Sequence, residues 1–333
     1  MYYVKHDKMT KLINWGIIGC GNVTEQKSGP AFGKTRGSKL VAVMRRDAEK
    51  ARDYALRHNV PRWYNNATEL INDKEVNAVY VATPPDSHAE YAIQAMYAGK
   101  PAYVEKPMAL NYDQCQEMIK VSEQTGMSLF VAYYRRRLPG FLKIKELLNE
   151  GIIGKPNHFE IRFITPPRPE DYLKPLPWRV IPESSGGGYL HDLGSHQLDL
   201  LDFLLEPLKL VDSDSENRLG LYAPADFVKA TFKTDSGISG SAFWNFGASG
   251  KEHTDTIVIS GEKGRIEFSC FDFTQTKVVS QDHILYYDNP RPEHVQSGLI
   301  ELITEEIRQN KKDKTNAISA ARATRLLDNL SKR

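Results

Sequence analysis

The residues of this 333-residue chain that could do chemistry gather in one short stretch, "GGGYLHDLGSHQLD", residues 186–199. Asp192, His196 and Asp199 stand four and three residues apart, so on an α-helix their side chains share one face. Leu190, Leu193, Leu198 and Leu200 fill the other faces. Histidine exchanges a proton near neutral pH without help, and between two carboxylates it suits acid–base work on a hydroxyl. A satisfied structural histidine reads the same way, so the rest of the chain has to decide. The three glycines ahead of the stripe would let backbone approach a ligand closely.

A second stretch supplies a partner for such chemistry. "WGIIGCGNVT" sets Gly19, Gly21, Asn22 and Val23 between an apolar run and a helix. The first glycine permits a tight turn, and the second lets backbone reach a pyrophosphate at the helix N-terminus. Thr24 replaces the third glycine of G-x-G-x-x-G, which touches helix–strand packing more than phosphate contact. The next apolar run ends "LVAVMRRD", with Arg45 and Arg46 where an NAD site offers an acid to the ribose. The pair is either a solvated surface feature or a seat for a 2′-phosphate. NADP(H) is favoured, with NAD(H) the alternative.

Elements able to position these residues follow from periodicity. Short apolar runs at 13–18, 40–44, 78–82, 102–104 and 129–132 alternate with helical stretches at 47–59, 87–99 and 112–125. Asp47 is a natural N-cap for the first of those helices. This alternation predicts an α/β domain, a parallel, doubly wound Rossmann sheet over residues 1–134. Residues 135–333 read as an α+β domain with an open, mostly antiparallel sheet. Its strands are expected at 157–164, 227–232, 238–246, 256–260 and 265–270, followed by helices near 293–309 and 317–330. The Pro-rich segment 165–177 is long for a connection and is expected to line a site.

Composition removes whole classes of function. With 44 basic against 42 acidic residues there is no electrostatic case for nucleic acid or an anionic membrane. No apolar run is long enough to span a bilayer. The N-terminal "MYYVKHDKMTKLIN" lacks a signal core. Cys20, Cys115 and Cys270 are too scattered for a metal site or a disulfide framework, and a reducing cytoplasm is the expected setting. One face of the second sheet lacks sequence-local helices, and Phe243 or Trp244 with Phe246 would make it an apolar interface.

Together "GIIGCGNV", "LVAVMRRD", "VYVATPPDSHAEYAIQAMYAGKPAYVEKPMA", "AYYRRR", "PWR" and "GGGYLHDLGSHQLD" resemble the glucose–fructose oxidoreductase and inositol dehydrogenase (Gfo/Idh/MocA) family along nearly the whole chain. The resemblance implies a two-domain oxidoreductase that passes hydride between C4 of a nicotinamide and a carbon of a sugar, cyclitol or related polyol. It also implies a homodimer or homotetramer formed through the open sheet face. His196 matches the acid–base histidine, Asp192 its partner one turn earlier, and Asp199 a substrate-hydroxyl ligand. Lys106 of "EKP" is expected to reach both cofactor ribose and substrate. Thr83, Pro84, Pro85 and His88 are expected along the cofactor, with Glu105 beside its ribose. Tyr134 and Arg135 match substrate contacts, and Trp178 and Arg179 the nicotinamide end. A cationic Lys106 would stabilise a developing alkoxide without a metal. Two other readings are redox-neutral chemistry on retained NAD, as in glycosidases or dehydratases, and a non-catalytic dinucleotide-binding regulator.

Overall fold

The computed structural model describes residues 12–281, 283–311 and 315–331. The N-terminal segment read above as lacking a signal core lies, up to residue 11, outside them.

Strands β1 (Ile13–Ile18), β2 (Ser38–Met44), β3 (Arg62–Tyr64), β4 (Ala78–Val81), β5 (Ala102–Val104) and β6 (Leu129–Val131) form one all-parallel sheet. Its order, β3-β2-β1-β4-β5-β6, is that of a doubly wound dinucleotide-binding sheet. Every residue of β4, β5 and β6 is buried, because helices cover both faces. That is why these strands read as short apolar runs. The sequence reading missed β3, whose three residues "RWY" sit at the sheet edge with Trp63 exposed. Asp47 caps helix Ala48–Arg57 as expected, accepting from Lys50 N at 3.1 Å.

The second sheet runs β14-β13-β12-β11-β7-β10-β9-β8. Its members are β7 (Pro156–Ile164), β8 (Lys209–Glu216), β9 (Phe227–Lys233), β10 (Ser239–Asn245), β11 (Thr254–Gly261), β12 (Gly264–Phe268), β13 (Thr276–Ser280) and β14 (Ile284–Tyr287). Only the central pair β7·β10 is parallel. Strand β8 escaped the sequence reading because "KLVDSDSE" is polar on both faces and lies at an edge.

Register assigns the aromatic residues of β10 to opposite sides. Trp244 is wholly buried on the inner face, where its Nε1 donates to Gln197 Oε1 at 2.7 Å. Phe246 is buried on the same side. The sheet thereby braces helix Ser195–Leu204, which carries His196. The outer face presents Glu160, Arg162, Lys229 and Thr231, with Phe243 half-buried beneath the Arg162 guanidinium at 5.2 Å. The expectation of a large apolar outer face is corrected for the residues named: period-2 alternation turns Trp244 and Phe246 inward and leaves the central strands polar outside, while Ile284 and Tyr286 of β14 stand exposed at the edge of that face.

The boundary at residue 134 separates the sheets but not the packing. Helix Thr315–Leu330 returns to the first domain, where Val131 N donates to Asn316 Oδ1 at 2.6 Å and Tyr112 N to Asp328 Oδ2 at 2.7 Å. Ala317, Ala320 and Ala321 enter the core beneath the first sheet. Among the described residues no helix is long and apolar enough to cross a membrane, and no His/Cys/Asp/Glu group could hold a metal ion. All three cysteines are buried and free.

Candidate dinucleotide cleft and active site

A cavity of about 770 Å³ opens where β1, β2 and β4 end, at the switch point of the sheet. Its walls include Gly19, Gly21, Asn22, Val23, Arg45, Arg46, Thr83, Pro84, Glu105, Lys106, Trp178, Arg179 and Asp192. Gly19 has φ +90°, and a Cβ there would lie 2.9 Å from Thr83 N, so only glycine fits the turn. A Cβ on Gly21 would meet nothing closer than 3.8 Å, so backbone borders open cleft at that point. Thr24 does more than loosen the motif. Its Oγ1 accepts from Gly21 N at 3.0 Å and donates to Gly21 O at 2.9 Å, locking the turn from beneath.

One end of the cleft is cationic. Arg45 Nη1 donates to Cys20 O at 3.4 Å, and among the described residues neither Arg45 nor Arg46 has a carboxylate partner. Asp47, the nearest acid in sequence, is held by Lys50 at 2.9 Å. A glycine cradle with two unpaired guanidiniums at its rim fits a phosphorylated dinucleotide.

The other end holds a lysine–carboxylate–arginine cluster. Lys106 Nζ donates to Asp192 Oδ1 at 2.6 Å and to Asp192 O at 2.9 Å, while Arg179 Nε donates to Asp192 Oδ2 at 3.2 Å. Burial raises the pKa of this carboxyl, but Lys106 and Arg179 more than offset it and hold Asp192 below the ordinary carboxylate range. Glu105 turns away from the ammonium. Its Oε1 accepts from the Tyr80 hydroxyl at 2.5 Å and from Gln296 Nε2 at 2.6 Å.

The expected Asp192–His196 partnership is corrected. Leu190–Gly194 form a π turn that leads into the α-helix, and the two side chains go to different neighbours. Asp192 reaches across to Lys106, whereas His196 is buried among rings. Tyr133, Tyr134 and Phe271 surround it at centroid distances of 6.0, 5.5 and 5.9 Å. Its Nδ1 is buried without a hydrogen-bond partner. Burial first, then the charges of Arg135, Lys106 and Lys27, push its pKa well below the ordinary value, so the imidazole is neutral. A neutral imidazole has a lone pair for a proton, and the same burial and charges make it a weaker base than an exposed histidine.

Several other sequence expectations are also redrawn. Asp199 lines no part of the cleft. It is buried in a forked ion pair, accepting from Arg136 Nε at 2.8 Å and from Arg136 Nη2, while burial pushes its pKa up to about 6. His88 and Pro85 are buried beneath the cleft floor. The His88 ring nitrogens lie 3.0 Å from Pro107 O and 2.8 Å from Thr83 O, so His88 ties together two loops that line the cleft. Tyr134 packs edge-on against His196, and Arg135 is buried with its Nε on Cys270 O at 2.9 Å. The glycines make room for protein rather than a ligand: a Cβ on Gly187 would stand 2.4 Å from the His191 ring, and one on Gly188 2.6 Å from Pro224. Sequence reasoning missed Tyr80, Gln296 and Arg136. Only the last carried a local signal, as part of "RRR".

His191 yields a pH prediction. Burial holds its pKa down to about 4, against about 6.5 in an unfolded chain. As pH falls through 6.5 the unfolded state binds this proton first, so stability drops from there toward about pH 4. Urea unfolding across that window is expected to show the loss, with a shallower slope in His191→Gln.

Residues 13–133 match the Gfo/Idh/MocA family model described as "Oxidoreductase family, NAD-binding Rossmann fold", and residues 141–267 match the family's C-terminal domain. Oxidoreductase P35 of Formosa agariphila is 41% identical over 326 residues, covering 96% of this chain and 98% of that protein. Among solved structures, a 3-ketoreductase from Actinomadura kijaniata with NADP and TDP-benzene superimposes with TM-score 0.83 at 21% identity, over 96% of both chains. Levoglucosan dehydrogenase with NADH and levoglucosan gives 0.84 at 21%, again over 96% of each. Both structural likenesses speak for the fold. Combined with the glycine cradle and the Lys106–Asp192 cluster, these matches make the chain a member of the Gfo/Idh/MocA family of NAD(P)-dependent oxidoreductases.

Proposed function

We propose that the protein is an NADP(H)-preferring oxidoreductase acting on a sugar, cyclitol or related polyol or ketosugar. The observation that carries this reading is one cavity with the glycine cradle and unpaired Arg45 and Arg46 at one end, and Lys106 with Asp192 at the other. Bound nicotinamide supplies hydride transfer at its C4. Lys106 offers its ammonium to the reacting oxygen, steadying an alkoxide during oxidation or polarising a carbonyl during reduction. Asp192 and Arg179 fix where that ammonium stands. His196, buried among rings behind the cleft wall, is the group assigned to take the hydroxyl proton. Because the imidazole is already neutral, oxidation rates are expected to show no histidine titration between about pH 6.5 and 8.

A panel of sugars, inositols and ketosugars with each cofactor, followed by absorbance at 340 nm, tests the reading. Charge-assisted contacts contribute about 1.5–3 kcal/mol each, so NADP is expected to be preferred by about ten-fold or more. Arg45→Asp should erase that preference. Tighter binding of NAD than NADP by the wild type would overturn it. Cofactor that copurifies tightly and shows no net absorbance change as product forms would favour the redox-neutral alternative.

A further inference from the structure

A second cavity, of about 180 Å³, lies beside the cleft among Phe163, Tyr189, Phe246 and Phe271, with Arg168 in its wall. Leu193, which also lines it, directly follows Asp192, and Phe271 stands 5.9 Å from the His196 ring. The cavity is therefore walled by residues next to Asp192 and His196. Its volume suits one six-membered ring, since a cavity of about 150 Å³ holds benzene. Its aromatic walls suit the C–H face of a sugar, which buries apolar area there.

Two guanidiniums stand around it. Arg168 lies over the Tyr189 ring at 4.6 Å, and its ion pair with Glu170 is 4.0 Å long. Arg135 is 4% exposed and stacks on Phe271 at 4.5 Å, with its Nη1 buried and without a hydrogen-bond partner. Of the nearby acids, buried Asp255 accepts from Phe271 N and Asp272 N through Oδ2 and leaves Oδ1 unpartnered, and the others are engaged. Asp192 is held by Lys106 and Arg179, Asp171 accepts from the Tyr189 hydroxyl at 2.6 Å, and Asp272 pairs with His253 at 2.7 Å. Arg135 stands outside the cavity wall and has buried Asp255 as counter-charge, whereas Arg168, in the wall itself, has only the 4.0 Å contact with Glu170 and keeps donors for a further anion.

We propose that this cavity is the substrate's ring subsite and that it selects a sugar or cyclitol bearing a carboxylate, which Arg168 receives. The proposal rests on the sugar reading given under Proposed function and narrows it to acidic members of that class. A guanidinium fork matches a carboxylate in geometry as well as charge. Arg168 also belongs to the segment 165–177 that the sequence marked as site-lining.

Calorimetry on the NADP-saturated protein, with D-glucuronate against D-glucose and D-galacturonate against D-galactose, tests it independently of turnover. The acidic member of a pair is expected to bind at least ten-fold more tightly, with an advantage that shrinks as salt is added. Arg168→Gln, checked for folding by circular dichroism, is expected to abolish the advantage. Equal or weaker binding of both acidic sugars, binding of no sugar at all, or an advantage that survives Arg168→Gln would each overturn the proposal. Glucose 6-phosphate serves as a control: if it binds as tightly as glucuronate, the site attracts anions generally and the carboxylate assignment fails. Tight, Arg168-dependent binding of glucuronate without any change at 340 nm would sink the redox reading and leave the subsite standing. Turnover of neutral sugars without acid preference would do the reverse.

Discussion

Exchanging Lys106 for methionine is expected to lower turnover by about 10²–10³-fold, the usual cost of removing a preorganised charge from a developing oxyanion. The same change should weaken substrate or cofactor binding, because the ammonium borders both regions of the cleft. His196→Asn should fail differently. It removes the proton acceptor but leaves the cavity walls, so NADP(H) affinity should survive while turnover falls about 10²–10⁴-fold. Steady-state kinetics paired with cofactor titrations separates the two cases. Near-wild-type turnover of His196→Asn across roughly pH 6–9 would make that histidine structural, like His191. Asp192→Asn should act through Lys106, whose ammonium loses its anchor at 2.6 Å, and not through the imidazole as the helical spacing first suggested.

The second large effect is on stability. Arg136→Met is expected to cost about 3–5 kcal/mol, because it leaves Asp199 buried without its partner. Asp199 is 1% exposed, and its pKa is already pushed up to about 6 by burial. Without the guanidinium it rises further, so the variant should regain part of its stability in acid, where the carboxyl is neutral. The double variant Arg136→Met/Asp199→Leu should unfold much closer to the wild type, since replacing a whole buried pair with apolar groups is often neutral. Urea midpoints at about pH 5 and 8 would check both statements.

What the sequence disclosed follows the range of the forces involved. The glycine loop, β1, β2 and β4 are specified by neighbours in the chain, through turn geometry and full burial, and were legible. So was the dinucleotide cleft, because every α/β sheet of this order opens at the same place. Less visible were contacts that join distant segments. Nothing near Glu105 announces Gln296, and the spacing of Asp192 and His196 conceals that the first turns toward Lys106 and the second toward a ring cluster. The triple glycine misled for a similar reason: a ring four residues downstream demands the same missing Cβ as a ligand would. Strands β3 and β8 were missed because their pattern is half-exposed or polar, so pairing makes them strands, whereas β13 and the short apolar β14 ("ILYY") were missed although their composition suits a strand.

The return of helix Thr315–Leu330 to the first sheet has a consequence for the order in which this protein is made. Domains generally fold as units during synthesis, N-terminal first. Here the backbone of β6 and the start of helix Tyr112–Thr125 complete their hydrogen bonds only with Asn316 and Asp328. The dinucleotide-binding half therefore leaves the ribosome with one flank unsealed, and it stays so until nearly two hundred further residues have followed (Val131 and Asn316 are 185 apart). A nascent chain halted after the first sheet should be cleaved by protease near β6, and protection there should arrive only with the final helix.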